Sequence, residues 1–343
     1  MRARAATSLA CCLTGALGLA LTLGACSSDT VPDGPSDATL SVVASTNVWG
    51  DVVRQVAGDL AEVTSIIDDP SVDPHSFEAN ARVELAISRA DLVVVNGGGY
   101  DDFATQLVDA LDQAPPVVVA VDAHDEPAPV DATDPAHEDA DDADHDDADR
   151  DDADGTHDED GTHEDGHAHG EGNEHVWYDL PTAQAVAHQV ADELAALAPE
   201  DAATLQANAD AFVERVAELE QRAAELAGRH GGVGVLVTEP VPLLLVEAAG
   251  FVDRTPAQFS EAVEEEIDVP PGAMSEMLDL VSSPDVAFLV YNEQTTGPQT
   301  DQVLEAAQDA GLPVVDVTET LPEGEDYVSW MAGNLDAFAQ ALA

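Results

Sequence analysis

Short apolar runs alternate with longer segments of helical spacing, and this alternation occurs twice along the chain. The runs are Leu40–Ala44, Ala61–Ile67, Leu92–Val95 and Val117–Val121 in the first half, and Gly234–Thr238, Phe251–Thr255, Val286–Tyr291 and Pro313–Thr318 in the second. Short runs that are apolar throughout predict parallel strands buried on both faces. We therefore predict an α/β fold with two lobes, each containing a four-stranded parallel sheet flanked by helices.

The segments between the runs predict the helices, and one of them is long enough to join the two lobes. The shorter predicted helices are Trp49–Gly58, Ser76–Ala90, Tyr100–Leu111, Val241–Ala249, Ala273–Val281, Gln299–Ala310 and Tyr327–Leu342. From Pro199 to Arg229, apolar residues recur at intervals of three, four or seven, which predicts a single helix of roughly 45 Å. Because a flexible hinge is the usual connection between domains, a helical connection predicts lobes that move little. The predicted N-terminal lobe is 38–198 and the C-terminal lobe is 230–343.

The charge balance restricts the partners of this chain. Among 343 residues, 70 are Asp or Glu and 10 are basic, which gives a formal net charge of -60. A protein that binds nucleic acid by neutralising phosphates is thereby excluded, and the ligand should be cationic. Residues 122–172 contain 22 acidic residues and one arginine. With almost no apolar side chains, this segment predicts a disordered acidic, histidine-rich loop.

The first 37 residues have the features of an export signal followed by a tether. A cationic start precedes an apolar run from Ala5 to Ala25, which ends in Leu-Gly-Ala before Cys26. This pattern predicts a signal peptide over 1–25, although the run is also about long enough to be a membrane-spanning anchor. The ending resembles a bacterial lipobox, which implies a lipid on Cys26, a tether over 26–37 and an extracytoplasmic protein anchored to the cell membrane. Disulfides and thiolate metal sites are then excluded, because Cys11 and Cys12 leave with the signal.

Four titratable residues follow predicted strands, where parallel sheets bind their ligands. His75 follows the second strand, and His175 follows the fourth strand and the acidic loop. Glu239 ends the fifth strand, and Glu319 ends the eighth. Two imidazoles and two carboxylates suit zinc or manganese. The alternatives are solvated histidines, and glutamates that only cap the helices after them.

Several local sequences resemble the solute-binding lipoproteins of zinc and manganese ABC importers, the ZnuA/TroA-like family of metal-binding proteins. They are Thr46–Gly58, Asp73–Glu78 with Ala90–Gly97, and Glu325–Asp336, together with a His-x-Trp segment at His175. The resemblance implies two α/β lobes, joined by one long helix, that hold a metal ion and deliver it to a permease. It places the ligands on His75, His175, Glu239 and Glu319. The family usually has Asp at the fourth position, so Glu319 is a departure, and Asp316 is the alternative.

The choice of metal rests on two features that point in different directions. Two carboxylates resemble the manganese-type ligand set, whereas a histidine-rich acidic loop resembles the zinc-type members. We favour zinc, with manganese next, as the transported ligand. Within the loop His163, His167 and His169 are close enough in sequence to form a weak auxiliary metal site. We expect a monomer, whose partners are the divalent metal ion, the permease and, through Cys26, the membrane.

Two other functions are compatible with parts of this pattern. A zinc hydrolase is suggested by a His-Glu-x-x-His match at His163–His167, but that motif requires a helix. Gly161, Gly166 and Gly170 surround this match, which favours a chance occurrence, and we expect no enzymatic activity. A surface adhesin or metal buffer would use the same lobes without a permease.

Overall fold

Each half of the chain forms one parallel sheet, and the two sheets have the same strand order. The computed structural model describes residues 39–69, 72, 74–75, 77–125 and 172–343. The first sheet has the order β2-β1-β3-β4 and the second β6-β5-β7-β8, with all pairs parallel. The strands are β1 (Leu40–Thr46), β2 (Ala61–Ile67), β3 (Leu92–Val95), β4 (Val117–Val119), β5 (Gly234–Val237), β6 (Val252–Asp253), β7 (Val286–Asn292) and β8 (Val314–Val317). Every predicted apolar run contains or overlaps one of these strands, so the predicted fold class is confirmed.

Helices flank both sheets, and three of them were not predicted from the sequence. The helices are α1 (Asn47–Ala57), α2 (Ala81–Ile87), α3 (Asp102–Asp109), α4 (Ala120–Asp125), α5 (Leu180–Leu197), α6 (Ala202–His230), α7 (Leu243–Ala248), α8 (Ala257–Glu264), α9 (Pro271–Val281), α10 (Pro298–Ala310) and α11 (Tyr327–Ala341). The unpredicted ones are α4, α5 and α8. The run at Val117 is strand for only three residues, and α4 contains the first residues of the predicted acidic loop. The rest of that loop, 126–171, lies outside the described residues.

The long connecting helix is α6, which has 29 residues and a length of about 44 Å. It begins at Ala202, three residues later than predicted, and carries one buried stripe. The stripe consists of Leu205, Ala209, Phe212, Val216, Leu219, Ala223 and Leu226. A single α6 therefore joins the two lobes and packs against both of them, as the sequence predicts.

The main hydrophobic core is continuous from one lobe to the other. It includes Trp49 and Val94 of the first lobe, Phe212 of α6, and Val237 and Phe288 of the second lobe. Each lobe has in addition a smaller cluster of its own. Because the lobes share one core, movement between them would expose apolar surface, which costs free energy.

Hydrogen bonds also join the lobes. The Asn47 amide nitrogen donates to the Leu321 carbonyl at 2.8 Å, and the Leu321 N–H donates to Asn47 Oδ1 at 2.9 Å. The Tyr178 hydroxyl donates to the Thr318 carbonyl at 2.7 Å, and the Tyr327 hydroxyl to the Trp177 carbonyl at 2.8 Å. These bonds support the prediction that the lobes move little.

None of the helices in the described part of the chain has the length and apolar character needed to cross a membrane. The predicted signal peptide 1–25, the lipidation site Cys26 and the tether 26–37 lie outside the described residues.

Candidate metal centre

A small cavity lies where the carboxyl ends of the strands of both lobes meet. Its volume is about 30 Å³, and its lining consists of His75, Glu239, Glu264, Glu266, Thr295 and Glu319. A volume near 30 Å³ is about that of one water molecule in the liquid. Small organic ligands need pockets of roughly 300–1,000 Å³. The cavity therefore suits an ion or a water molecule and is too small for an organic solute.

Three of the four predicted ligands line this cavity, and the fourth lies beside it. His75 follows β2, Glu239 comes two residues after β5, and Glu319 comes two residues after β8. The ring of His175 lies 6.2 Å from the ring of His75, centroid to centroid. The positions after the strands therefore converge, as expected for parallel sheets.

His175 is completely buried, and its orientation is fixed by Asn173. Its Nδ1 lies 2.8 Å from Asn173 Oδ1, which also accepts the His175 backbone N–H at 3.0 Å. The Asn173 amide nitrogen donates to the Pro240 carbonyl at 2.9 Å. With Nδ1 as the donor to Asn173, Nε2 carries the lone pair that a metal requires. Asn173 thus holds one predicted ligand, His175, and the residue next to another, Glu239.

The segment before His175 is held by the end of β3. The Asn96 side chain donates to the Glu174 carbonyl at 2.8 Å and accepts a hydrogen bond from Trp49 Nε1 at 3.1 Å. The buried Asp101 carboxylate accepts the backbone N–H groups of Asn96 and Gly97. Burial raises the pKa of Asp101, while these hydrogen bonds act against that effect. A buried polar network of this kind restrains the backbone that presents His175.

His75 lies at the more accessible side of the cavity, with a quarter of its side chain exposed. Its ring contacts the Tyr100 ring edge-to-face, with centroids 4.8 Å apart. The Tyr100 ring also lies 5.9 Å from that of His175. Tyr100 therefore packs against both imidazoles and restricts their orientations.

Glu239 is buried in an unfavourable environment for a carboxylate. Burial raises its pKa well above the usual range, and the negative charges of Glu319 and Glu264 raise it further. Asn292 and Thr295 oppose this shift by hydrogen bonding. Within the described part of the chain, Glu239 Oε1 is buried and has no hydrogen-bond partner. A cation in the cavity would supply the missing interaction.

Glu319 is held by three side chains. Its Oε1 accepts hydrogen bonds from Asn292 Nδ2 at 2.6 Å and Thr295 Oγ1 at 3.0 Å. Its Oε2 accepts a longer one, 3.4 Å, from the Tyr100 hydroxyl of the other lobe. The longer side chain of glutamate thus still reaches the cavity. Asp316, the alternative, is exposed on β8 and does not line the cavity.

Glu264 was not identified from the sequence, although its carboxylate lies close to both imidazoles. Its Oε1 is 3.3 Å from His175 Nε2 and 3.7 Å from His75 Nε2. Candidate ligand atoms of these three residues all lie within 4.8 Å of one another. Glu264 is the last residue of α8, the helix that the sequence did not predict. It also begins a run of three glutamates in a chain with 70 acidic residues, so it had no distinguishing signal.

Of the seven histidines in the predicted acidic loop, His124 is among the described residues. His124 lies on α4, where its Nδ1 is 2.9 Å from Thr182 Oγ1 and 3.2 Å from Asp179 Oδ2. This contact ties α4 to the first turn of α5, and His124 is not among the residues that line the cavity. The proposed auxiliary ligands, His163, His167 and His169, lie outside the described residues.

Known proteins with a similar sequence or structure have been identified. The manganese-binding lipoprotein MntA of Halalkalibacterium halodurans is 22% identical over 95% of this chain and 96% of its own length. The zinc-binding lipoprotein AdcA of Streptococcus pneumoniae is 25% identical over 94% of this chain, which spans 58% of AdcA. The structure of the periplasmic zinc-binding protein TroA from Treponema pallidum superposes with a TM-score of 0.65 at 17% identity, covering 89% of this chain and all of TroA.

The family described as zinc-uptake complex component A, periplasmic (ZnuA), matches residues 42–341. That range includes both sheets except the first two residues of β1, together with α6 and all the residues of the cavity. The chain therefore belongs to the ZnuA family of solute-binding proteins of zinc and manganese ABC importers, as its local sequences predict.

Proposed function

We propose that this protein binds one divalent transition-metal ion outside the cytoplasm and delivers it to the permease of an ABC importer. The observation that carries the proposal is the cavity of about 30 Å³, on which imidazole and carboxylate groups from both lobes converge. No arginine lines it among the described residues, and the basic groups beside its carboxylates there are the imidazoles of His75 and His175. The proposed ligands are His75, His175, Glu239 and Glu319.

Zinc is the proposed cargo, with manganese as the second candidate. Both imidazoles direct Nε2 toward the same carboxylate, and nitrogen ligands favour zinc over manganese. The carboxylates favour manganese by the same reasoning. The names of the relatives include a zinc-binding and a manganese-binding lipoprotein. Direct competition between zinc and manganese for the metal-free protein is therefore needed to decide which ion the site prefers.

Delivery requires the protein to stay near the membrane, and a lipid on Cys26 would keep it there. The relatives are named as lipoproteins, which supports this part of the proposal. We propose that the protein acts as a monomer and catalyses no reaction. A hydrolase needs space for a substrate beside the metal, and the cavity is too small for one.

Isothermal titration calorimetry of the metal-free protein tests the binding function. We expect one tight site for zinc, and its loss in His175→Ala. Arg89→Ala, a substitution at an exposed position on the turn after α2, serves as a control that should bind as the wild type does. Tight binding that survives in His175→Ala would refute the proposed site.

Transfer of metal to a permease separates import from the alternative of a surface adhesin or metal buffer. The metal-loaded protein is added to vesicles that contain the cognate permease, and uptake of the ion is measured. Uptake that depends on the loaded protein supports import. Tight binding without any uptake would favour the buffer.

We also propose that His163, His167 and His169 form an auxiliary weak site that raises the local metal concentration. Deleting 126–171 tests this and leaves α4 with His124 intact. The deletion variant should keep the tight site and lose additional weak binding in calorimetry. Unchanged stoichiometry would contradict the auxiliary role.

A further inference from the structure

Glu264 Oε1 lies near ligand spacing from both His75 Nε2 and His175 Nε2. Two ligands of a tetrahedral ion, each bonded at about 2.0–2.2 Å, lie roughly 3.4 Å apart. The distances from Glu264 Oε1 to the imidazole nitrogens are 3.3 Å and 3.7 Å. These two values lie on either side of the expected spacing, and the longer one exceeds the range of a hydrogen bond.

The location of Glu264 also points to a cation. It ends α8, and the carboxyl end of a helix carries a partial negative charge that disfavours a nearby carboxylate. Its side chain is only 11% exposed and lines the same cavity as the carboxylates of Glu239 and Glu319. Three carboxylates in so little space repel one another unless a cation lies between them.

The buried Glu239 Oε1 provides an independent observation. Glu239 is 2% exposed, and its Oε1 has no hydrogen-bond partner in the described part of the chain. It lines the same cavity of about 30 Å³ as Glu264. An ion in this cavity would contact both carboxylates and both lobes.

We propose that Glu264 is a direct ligand of the bound ion, in addition to the four residues named above. The inference rests on the proposed function, since it concerns the same ion. Its consequence is a centre with two imidazole and three carboxylate ligands, which exceeds the four ligands typical of a structural zinc site. An expanded, oxygen-rich coordination would broaden the range of metals that the site accepts.

Cobalt(II) tests this inference, because its visible absorption spectrum reports the number and type of its ligands. The variants are Glu264→Gln and, as a matched control, Glu265→Gln, which removes the same charge from an exposed neighbour. We expect Glu264→Gln to change the cobalt spectrum and to weaken zinc binding, measured against a chelator, by at least about 10-fold. Glu265→Gln should change neither. Far-UV circular dichroism establishes that each variant is folded.

The other possible results separate a failure of this inference from a failure of the proposed function. An unchanged spectrum with Glu264→Gln would overturn the inference and leave the proposed function intact. Weaker zinc binding beside that unchanged spectrum would show that the residue acts only through its charge. Wild-type protein that binds none of cobalt, zinc and manganese would overturn the proposed function itself. Should Glu264→Gln not fold, Glu264→Asp keeps the charge but shortens the side chain, and an unaltered cobalt spectrum in that variant would also contradict direct ligation.

Discussion

At the scale of single residues, Asn173 connects the two lobes at the site without being a ligand itself. Its oxygen accepts two N–H groups of His175, and its nitrogen donates to the Pro240 carbonyl. Both ends of the amide are therefore fixed, and the two ends act on different proposed ligands. Partners of this kind hold a ligand imidazole in one tautomer and one orientation.

Replacing Asn173 should therefore weaken metal binding without unfolding the protein. We expect Asn173→Ala to reduce zinc affinity by roughly 10–100-fold, because His175 loses its orienting acceptor. Asn173→Asp keeps the acceptor oxygen and should have a smaller effect. Chelator competition measures both, and equal losses in the two variants would contradict a role through Nδ1.

Glu239 should lower the stability of the metal-free protein and raise the stability of the metal-bound protein. Its raised pKa, caused first by burial and then by Glu319 and Glu264, shows that the ionised form is destabilised in the fold. The ionised side chain therefore costs stability at pH values above its unfolded pKa. Glu239→Gln removes this cost and should raise the melting temperature of the metal-free protein at about pH 7.5.

The same variant should lose most of the thermal stabilisation that metal gives to the wild type. A ligand that binds only the folded state stabilises it by about 2.7 kcal/mol at 100 times its Kd. Thermal melts with and without zinc measure both effects. A metal-free variant that is less stable than the wild type would contradict the unfavourable role of Glu239.

The sequence reveals part of this site because four of its residues follow strands. His75, His175, Glu239 and Glu319 could be found by looking after each apolar run. Glu264 could not, because it ends a helix and belongs to an acidic run in an acidic chain. Its proximity to the histidines depends on how the second lobe packs against the first, which local sequence does not specify.

At the scale of elements, the turn after α8 contains a backbone conformation that glutamate rarely adopts. Glu266 has φ 53°, the one positive value for a non-glycine residue among those described. The Ile267 N–H donates to the Ala262 carbonyl, and the Glu266 N–H to the Val263 carbonyl. This is a Schellman ending, in which glycine usually occupies the position of Glu266.

Glu266→Gly should stabilise the metal-free protein by about 1 kcal/mol, because glycine relieves the left-handed strain. Glu266→Ala removes the same carboxylate but keeps a Cβ, so the strain should remain. Urea unfolding of the two variants separates the backbone effect from the effect of charge. Equal stability of Glu266→Gly and Glu266→Ala would contradict strain at this turn.

Elements whose sequence has one clear pattern were predicted well, and those with mixed patterns were not. All eight strands fall in or overlap the predicted runs, most of them rich in valine or isoleucine, and α6 follows from its stripe. Helix α5 begins at Leu180, with Asp179 as its cap and Pro181 in its first turn, but its alanine-rich sequence has a weak contrast between faces. Helix α4 begins at Ala120 and contains Val121, so its first two residues continue the apolar run that predicts the preceding strand. Local periodicity alone does not separate the end of β4 from the start of α4.

At the scale of the whole molecule, the shared core predicts that both lobes unfold together. The main cluster extends from Trp49 through Phe212 to Phe288, so neither lobe has a complete core of its own. Asn47 adds a pair of hydrogen bonds to the backbone of Leu321 in the other lobe. Proteins of several domains often unfold in separate steps, but this arrangement favours one transition.

Asn47→Ala tests this coupling. The variant should be less stable by about 1–3 kcal/mol, because the N–H and carbonyl of Leu321 lose their partner. It should still unfold in one transition, with tryptophan fluorescence and circular dichroism giving the same midpoint. Two separated transitions in the wild type would show that the lobes are independent.

The central claim is that this acidic two-lobed protein holds one transition-metal ion between its lobes through His75 and the groups around it. Elemental analysis of the wild type beside His75→Ala, each purified after exposure to zinc and manganese together, tests it most directly. We expect about one ion per wild-type chain, mostly zinc, and almost none in His75→Ala. Equal metal content in the two proteins would contradict the claim.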